Sequence, residues 1–220
     1  MFQKFLSYLV PINILKVKSD FSKTLEVTYN NGELVIDSLN TNYSYGSLQR
    51  ILAKGLRFIE KEKIQKMNHI LILGIAGGSV IKTLKNEFEY QNKITGVEID
   101  PNIIDLANKY FQLDEIQNLE IIITDAFEFV LRSSTQYDLV IIDIFQDTVM
   151  PSFLFEKYFI EKIEDLTAAN GYILFNTMIL NDEHQKRNDQ YVLKYDEAFK
   201  VVRLSKVENH NEVIIINRTD

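Results

Sequence analysis

Glu98, Asp125 and Asp143 each close a short apolar run, and the turn Gly74-Ile-Ala-Gly-Gly78 closes another. A carboxylate offers two oxygens to a vicinal diol, so Glu98, at roughly the 20-residue spacing from the glycines that a ribose-binding acid takes, suits a nucleoside sugar. Asp125 would accept from an adenine amino group, with the neighbouring N–H of Ala126 bonding the ring. Gly74, Gly77 and Gly78 remove Cβ atoms from the turn. The helical pattern Val80, Ile81, Leu84, Phe88 behind them brings helix N-terminal N–H groups to the same point. Plainer explanations compete. A tight strand-to-helix turn needs glycine without any ligand, and Asp100 before Pro101 and Asp125 before Ala126 are good helix N-caps.

These residues need elements to hold them, and the apolar pattern supplies them. Strand-length runs without polar alternation fall at 70–73, 94–99, 119–124, 139–143 and 172–176. Helical patterns lie between the first four at 79–90, 101–112 and 126–132, and a longer one, 152–168, leads to the fifth through Asn170-Gly171 as a helix stop. Continuous Val/Ile/Leu strands alternating with helices predict an α/β, doubly wound, mostly parallel sheet covered on both faces. A helix over 183–198 and strands at 201–205 and 213–217 follow, with Glu208–Asn211 as the turn and the last strand antiparallel at or near an edge. Upstream, runs at 12–17, 24–29 and 33–37 around Asn30-Asn-Gly32 predict a small antiparallel β-hairpin unit of about three strands. Residues 38–46 read as a loop, and Leu48, Ile51, Leu52, Leu56 and Ile59 start a helix that extends to about 66. The expected division is 1–45 for the small β unit and 46–220 for the larger domain.

In an open parallel sheet, ligands sit beyond the carboxyl ends of the strands near the switch point. The polar residues at those ends are Gly74–Gly78, Glu98-Ile-Asp100, Asp125-Ala126, Asp143 and Asn176-Thr177. Other candidates are weaker. His69, His184 and His210 are far apart and show no metal spacing, so no metal site is expected. Phe153, Phe155, Tyr158 and Phe159 read as a helix face packing on the sheet, and 182–189 as a charged, solvated helix start.

The 220 residues include no cysteine, which excludes disulfides and thiolate metal sites. A net charge of −7 argues against a nucleic-acid backbone or an anionic membrane as main partner. No apolar run reaches spanning length, and Phe5–Val10, ended by Pro11, lacks the form of a signal peptide. The expectation is a soluble, cytoplasmic protein.

Leu71-Ile-Leu-Gly-Ile-Ala-Gly-Gly, Gly96-Val-Glu-Ile-Asp-Pro101, Ile123-Thr-Asp-Ala-Phe127 and Tyr137-Asp-Leu-Val-Ile-Ile-Asp143 together resemble the core of spermidine synthases. That is the aminopropyltransferase branch of the S-adenosylmethionine-dependent methyltransferase fold. The N-terminal hairpin with Leu34-Val-Ile-Asp37 resembles that family's small β-domain, so the similarity spans about 25 to 217. Ile72, apolar where ordinary methyltransferases place an acid, sharpens the branch. The resemblance implies a Rossmann-like sheet and a small-molecule acceptor. It also implies S-adenosylmethionine or its decarboxylated form as cofactor, held by Gly74, Ala76, Gly77, Gly78, Glu98, Ile99, Asp125, Ala126 and Asp143. Tyr43 and Tyr45 stand where the family places its substrate gate.

The departures concern the polyamine end. Gly77 stands where the family has an aspartate that holds the aminopropyl amine, and Gln146 stands at the position of the catalytic aspartate. Asp147 follows one residue late. Glutamine cannot accept a proton at neutral pH. The leading expectation is therefore methyl or alkyl transfer to an unidentified small acceptor, with Asp143 holding the amino group or orienting the acceptor. An aminopropyltransferase with Asp147 as displaced base is the second. A catalytically degenerate module, oligomeric through the N-terminal β unit as a homodimer surface, is the third.

Overall fold

A computed structural model describes residues 2–21, 23–38, 42–44, 47–146 and 149–219. The chain opens with a short helix, α1 (Phe2–Leu6), and runs through β1 (Ile12–Ser19), β2 (Lys23–Asn30), β3 (Glu33–Ser38) and β4 (Asn42–Ser44). These form one antiparallel sheet in the order β1-β2-β3-β4. The three expected strands are present, and β4 adds a fourth inside the stretch read as a loop. Asn31 and Gly32, both at positive φ, make the hairpin turn.

The expected helix from Ser47 is two, α2 (Ser47–Ile59) and α3 (Lys61–Lys66), broken at Glu60 with φ 80°. Then come β5 (His69–Leu73), α4 (Ser79–Asn86), β6 (Lys93–Glu98), α5 (Pro101–Phe111), β7 (Leu119–Ile123), α6 (Ala126–Arg132) and β8 (Tyr137–Ile142). A 3-10 turn (Ser152–Phe155) precedes α7 (Lys157–Leu166), β9 (Thr167–Met178), α8 (Asp182–Val192), β10 (Phe199–Val207) and β11 (Asn211–Arg218). Two expectations are corrected here. The helix over 152–168 splits at Glu156 and ends at Leu166, and Asn170-Gly171 lies inside β9 rather than stopping the helix. Tyr158 is 54% exposed, so only part of the Phe153–Phe159 run packs inward.

The large sheet has the order β10-β11-β9-β8-β5-β6-β7. β5 through β9 pair in parallel and β11 and β10 are antiparallel, which agrees with the doubly wound reading. The continuous apolar runs are explained by two separate cores. Ile70, Ile72, Leu139, Ile141 and Leu174 face α2, α3 and α4, while Leu71, Leu73, Val140, Ile142 and Phe175 face the layer of α6, α7 and α8. α5 has two buried sides. Ile104 and Ala107 pack on the large sheet, and Ile103, Leu106 and Phe111 pack on Leu25, Val27 and Ile36 of the small one. Burial of that second stripe at about 1.5–3 kcal/mol per large side chain is what seats the N-terminal sheet.

Candidate functional site

The order of strands changes direction between β5 and β8, so their carboxyl ends define the crevice. Gly74 and Asp143 meet there. Asp143 N–H donates to the Leu73 carbonyl and Gly74 N–H to the Val97 carbonyl, each at 2.9 Å, which carries the ladder one residue past both strands. Gly74 has φ +85°, and a Cβ on it would lie 2.3 Å from the Asp143 carbonyl oxygen. Gly78, at φ +81°, would put a Cβ 2.6 Å from Leu113 Cδ1. The positive φ at both positions, and at Gly74 the backbone carbonyl of Asp143, thus favour glycine without any ligand. Ala76 also has positive φ, 44°. Gly77 is buried in the turn ahead of α4.

Glu98 closes β6, 7% exposed, and ties the turn to the next strand. Its Oε2 accepts from Ala76 N–H at 3.0 Å, and Oε1 accepts from Ile99 N–H at 3.0 Å and Asp100 N–H at 3.1 Å. Burial pushes this carboxyl up, and the three N–H donors oppose the shift. With about two lone-pair sites per oxygen, Oε2 keeps one open while Oε1 is filled by backbone. Ile99 beside it is 37% exposed, an apolar surface at the mouth of the crevice.

Asp100 is 1% exposed and structural. It caps α5 by accepting from Asn102 N–H at 2.9 Å, and its Oδ2 is hydrogen-bonded to Ser19 Oγ, which anchors the end of β1. Asp125 caps α6, accepting from Phe127 N–H at 2.7 Å. Ala126 opens that helix, where first-turn N–H groups have no intrahelical acceptor. Thr124 N–H bonds the Glu98 carbonyl at 2.9 Å, which carries the ladder one residue past β7 and places Asp125 directly after it.

Asp143 Oδ1 accepts from Asn176 Nδ2 at 2.8 Å. Burial pushes its carboxyl up to about 6, with the Asn176 amide pulling the other way. Asp143 Oδ2 has no hydrogen-bond partner among the described residues. After it, Gln146 is exposed and pairs its backbone with Val149 at 2.8 and 3.0 Å. Asp147 and Tyr45 lie outside the described residues, as does the side chain of Tyr43. His69 starts β5, with Nε2 2.9 Å from Thr95 Oγ1. His184 and His210 sit elsewhere, in α8 and the β10–β11 turn.

A polar cluster beside the crevice was not legible as a unit. Glu212 accepts from Arg203, Asn188 and Ser205, and Asn188 also donates to Thr177 Oγ1 at 2.7 Å. Asn188 is fully buried, so the 182–189 stretch is not simply a solvated surface. Asn211, expected in a turn, opens β11, is 6% exposed and donates to Asn176 Oδ1 at 2.9 Å. The one available signal was the polar pair Asn176-Thr177 at a strand end.

The profile of the spermine/spermidine synthase domain matches residues 55–204. A probable polyamine aminopropyl transferase of Bifidobacterium longum is 30% identical over 122 residues, 56% of this chain and 27% of that protein. An eEF1A lysine and N-terminal methyltransferase homolog of Drosophila pseudoobscura pseudoobscura is 26% identical over 164 residues, 70% of this chain and 24% of its own length. The chain therefore spans about a quarter of either relative. Among solved structures, spermidine synthase in complex with the transition state analogue AdoDATO superposes with a TM-score of 0.71 at 18% identity, covering 94% of this chain and 73% of that one. The domain match extends from α2 to β10 and takes in every strand end that bounds the crevice, and on it the chain belongs to the spermine/spermidine synthase domain family.

Proposed function

We propose that this chain binds S-adenosylmethionine or its decarboxylated form and transfers a methyl or alkyl group to a small acceptor. The observation that carries the reading is Glu98, buried at a strand end and hydrogen-bonded to the glycine turn while one lone-pair site of Oε2 stays open. The first ribose hydroxyl takes that site, and the second displaces one of the two N–H donors on Oε1. Asp125 and Ala126 bind the adenine edge, Ile99 covers its face, and Gly74, Ala76, Gly77 and Gly78 line the approach. Asp143 Oδ2, without a partner among the described residues, fits the ammonium of the nucleoside tail. When bound, the sulfonium supplies an activated carbon and a neutral thioether leaving group. The residues of this chain then act mainly by positioning, which suits a site where Gly77 and Gln146 replace acids. The partition at 45–46, a cytoplasmic location and the absence of nucleic acid as partner belong to the same reading.

The polyamine aminopropyl transferase match favours a second reading, aminopropyl transfer with Asp147 as base. The exposed Phe2, Phe5, Tyr8, Leu9 and Val10 favour a third, a homodimer through the N-terminal β unit in which catalysis is lost. Calorimetric titration with both nucleosides tests the first: micromolar binding of either is expected, and no heat with either sinks it. Formation of spermidine from putrescine and the decarboxylated nucleoside, abolished by Asp147→Asn, would install the second.

A further inference from the structure

Asp143, Asn176 and Asn211 stand at adjacent strand ends, following β8, in β9 and in β11. Asn211 Nδ2 donates to Asn176 Oδ1 at 2.9 Å, and Asn176 Nδ2 donates to Asp143 Oδ1 at 2.8 Å. The direction of this chain is forced. An inverted Asn176 amide would set its oxygen against the carboxylate and its NH2 against the Asn211 NH2, two repulsive contacts in place of two bonds. Asn176 is fully buried, so its amide has no water as an alternative partner, and Asn211 is 6% exposed.

We propose that Asn176 and Asn211 are positioning residues that lock Asp143 into one rotamer, with Oδ2 presented to the tail ammonium of the nucleoside. This rests on the nucleoside reading above. The crevice has a half-buried carboxylate and no resident cation for it: among the described residues no Lys, Arg or His forms an ion pair with Asp143. Among the described residues, burial raises its carboxyl and the Asn176 amide lowers it. Partial burial raises a carboxyl unless donors hold its charge. The Asn176 N–H is that donor, and Asn211 keeps it aimed. The ligand then brings the missing cation, so ion pairing is spent on binding rather than satisfied in the free protein.

The test uses the full chain with Asn176→Leu, Asn211→Leu and the double variant, in which both buried amides are removed together so that neither is left unpaired. Carboxyl NMR titration of Asp143 without ligand is expected to read about 6 in the parent protein. In Asn176→Leu it moves upward by about one pH unit, a tenfold change, and in Asn211→Leu upward by less. Calorimetry at pH 7 with S-adenosylmethionine is expected to show about tenfold weaker binding by Asn176→Leu. With 5′-methylthioadenosine, which has no tail amine, the affinity stays within about twofold. Unchanged titration in all variants, or equal losses for both nucleosides, overturns the assignment. If the parent protein binds neither nucleoside, the nucleoside reading falls with the presentation of Oδ2, while the titration still decides whether the two amides hold Asp143.

Discussion

Replacing Arg203 by methionine strands a buried charge. Glu212 has a side chain 1% exposed and accepts from Arg203 Nε at 3.0 Å and Nη2 at 2.8 Å. Ser205 Oγ at 2.8 Å and Asn188 Nδ2 at 2.9 Å complete its four donors. Burial alone pushes this carboxyl up, but Arg203, Asn188 and Ser205 together pull it below its ordinary range. Breaking a buried ion pair costs about 3–5 kcal/mol. The Arg203 side chain is 26% exposed and the two neutral donors remain in the variant, so the lower end applies, about 3 kcal/mol at pH 7. With a urea slope of about 2–3 kcal/mol/M, the unfolding midpoint falls by about 1 M. The pH dependence separates this cause from lost packing. In the parent protein the depressed carboxyl contributes stability above its unfolded value of about 4.3, and loses it as pH falls through the lower folded value. In Arg203→Met the folded value lies above the unfolded one, so the penalty is full at pH 8 and fades as the carboxyl protonates. Urea unfolding at pH 8 and pH 5 should show the gap between the two proteins narrowing on acidification. A loss under about 1 kcal/mol, as for an exposed pair, or a gap independent of pH, refutes the reasoning.

Gly74→Ala puts a Cβ 2.3 Å from the Asp143 carbonyl at a φ of +85°, and the left-handed conformation alone costs about 1–2 kcal/mol. Lower thermal stability together with loss of nucleoside binding is expected, and parent-like melting would contradict the close approach. Glu98→Gln turns an amide NH2 toward backbone N–H donors. Calorimetry should show at least about tenfold weaker adenosine binding and lost discrimination against 2′,3′-dideoxyadenosine. Ser19→Ala removes the hydrogen bond to Asp100, worth about 1.5–3 kcal/mol for a charged acceptor. Amide exchange should quicken in β1 and β2 and stay unchanged in β5 and β8.

Local pattern determined a good deal of this protein. The runs at 70–73 and 139–142 are apolar at every position because each strand meets a core on both faces, and that continuity identifies a parallel sheet without any knowledge of partners. Asp100 and Asp125 showed their capping role through their immediate neighbours. The tertiary structure alone decided which polar residues share a neighbourhood. Asn188 sits in a charged stretch, Asn211 beside a turn and Glu212 in an apolar strand. Nothing within a few residues of any of them says that it is buried. Their partners lie as far as 35 residues away, and β11 enters between β9 and β10 only through the sheet order. Periodicity reports how one element faces its surroundings. A hydrogen-bonded chain across three strands depends on register between elements, which is set when the sheet closes.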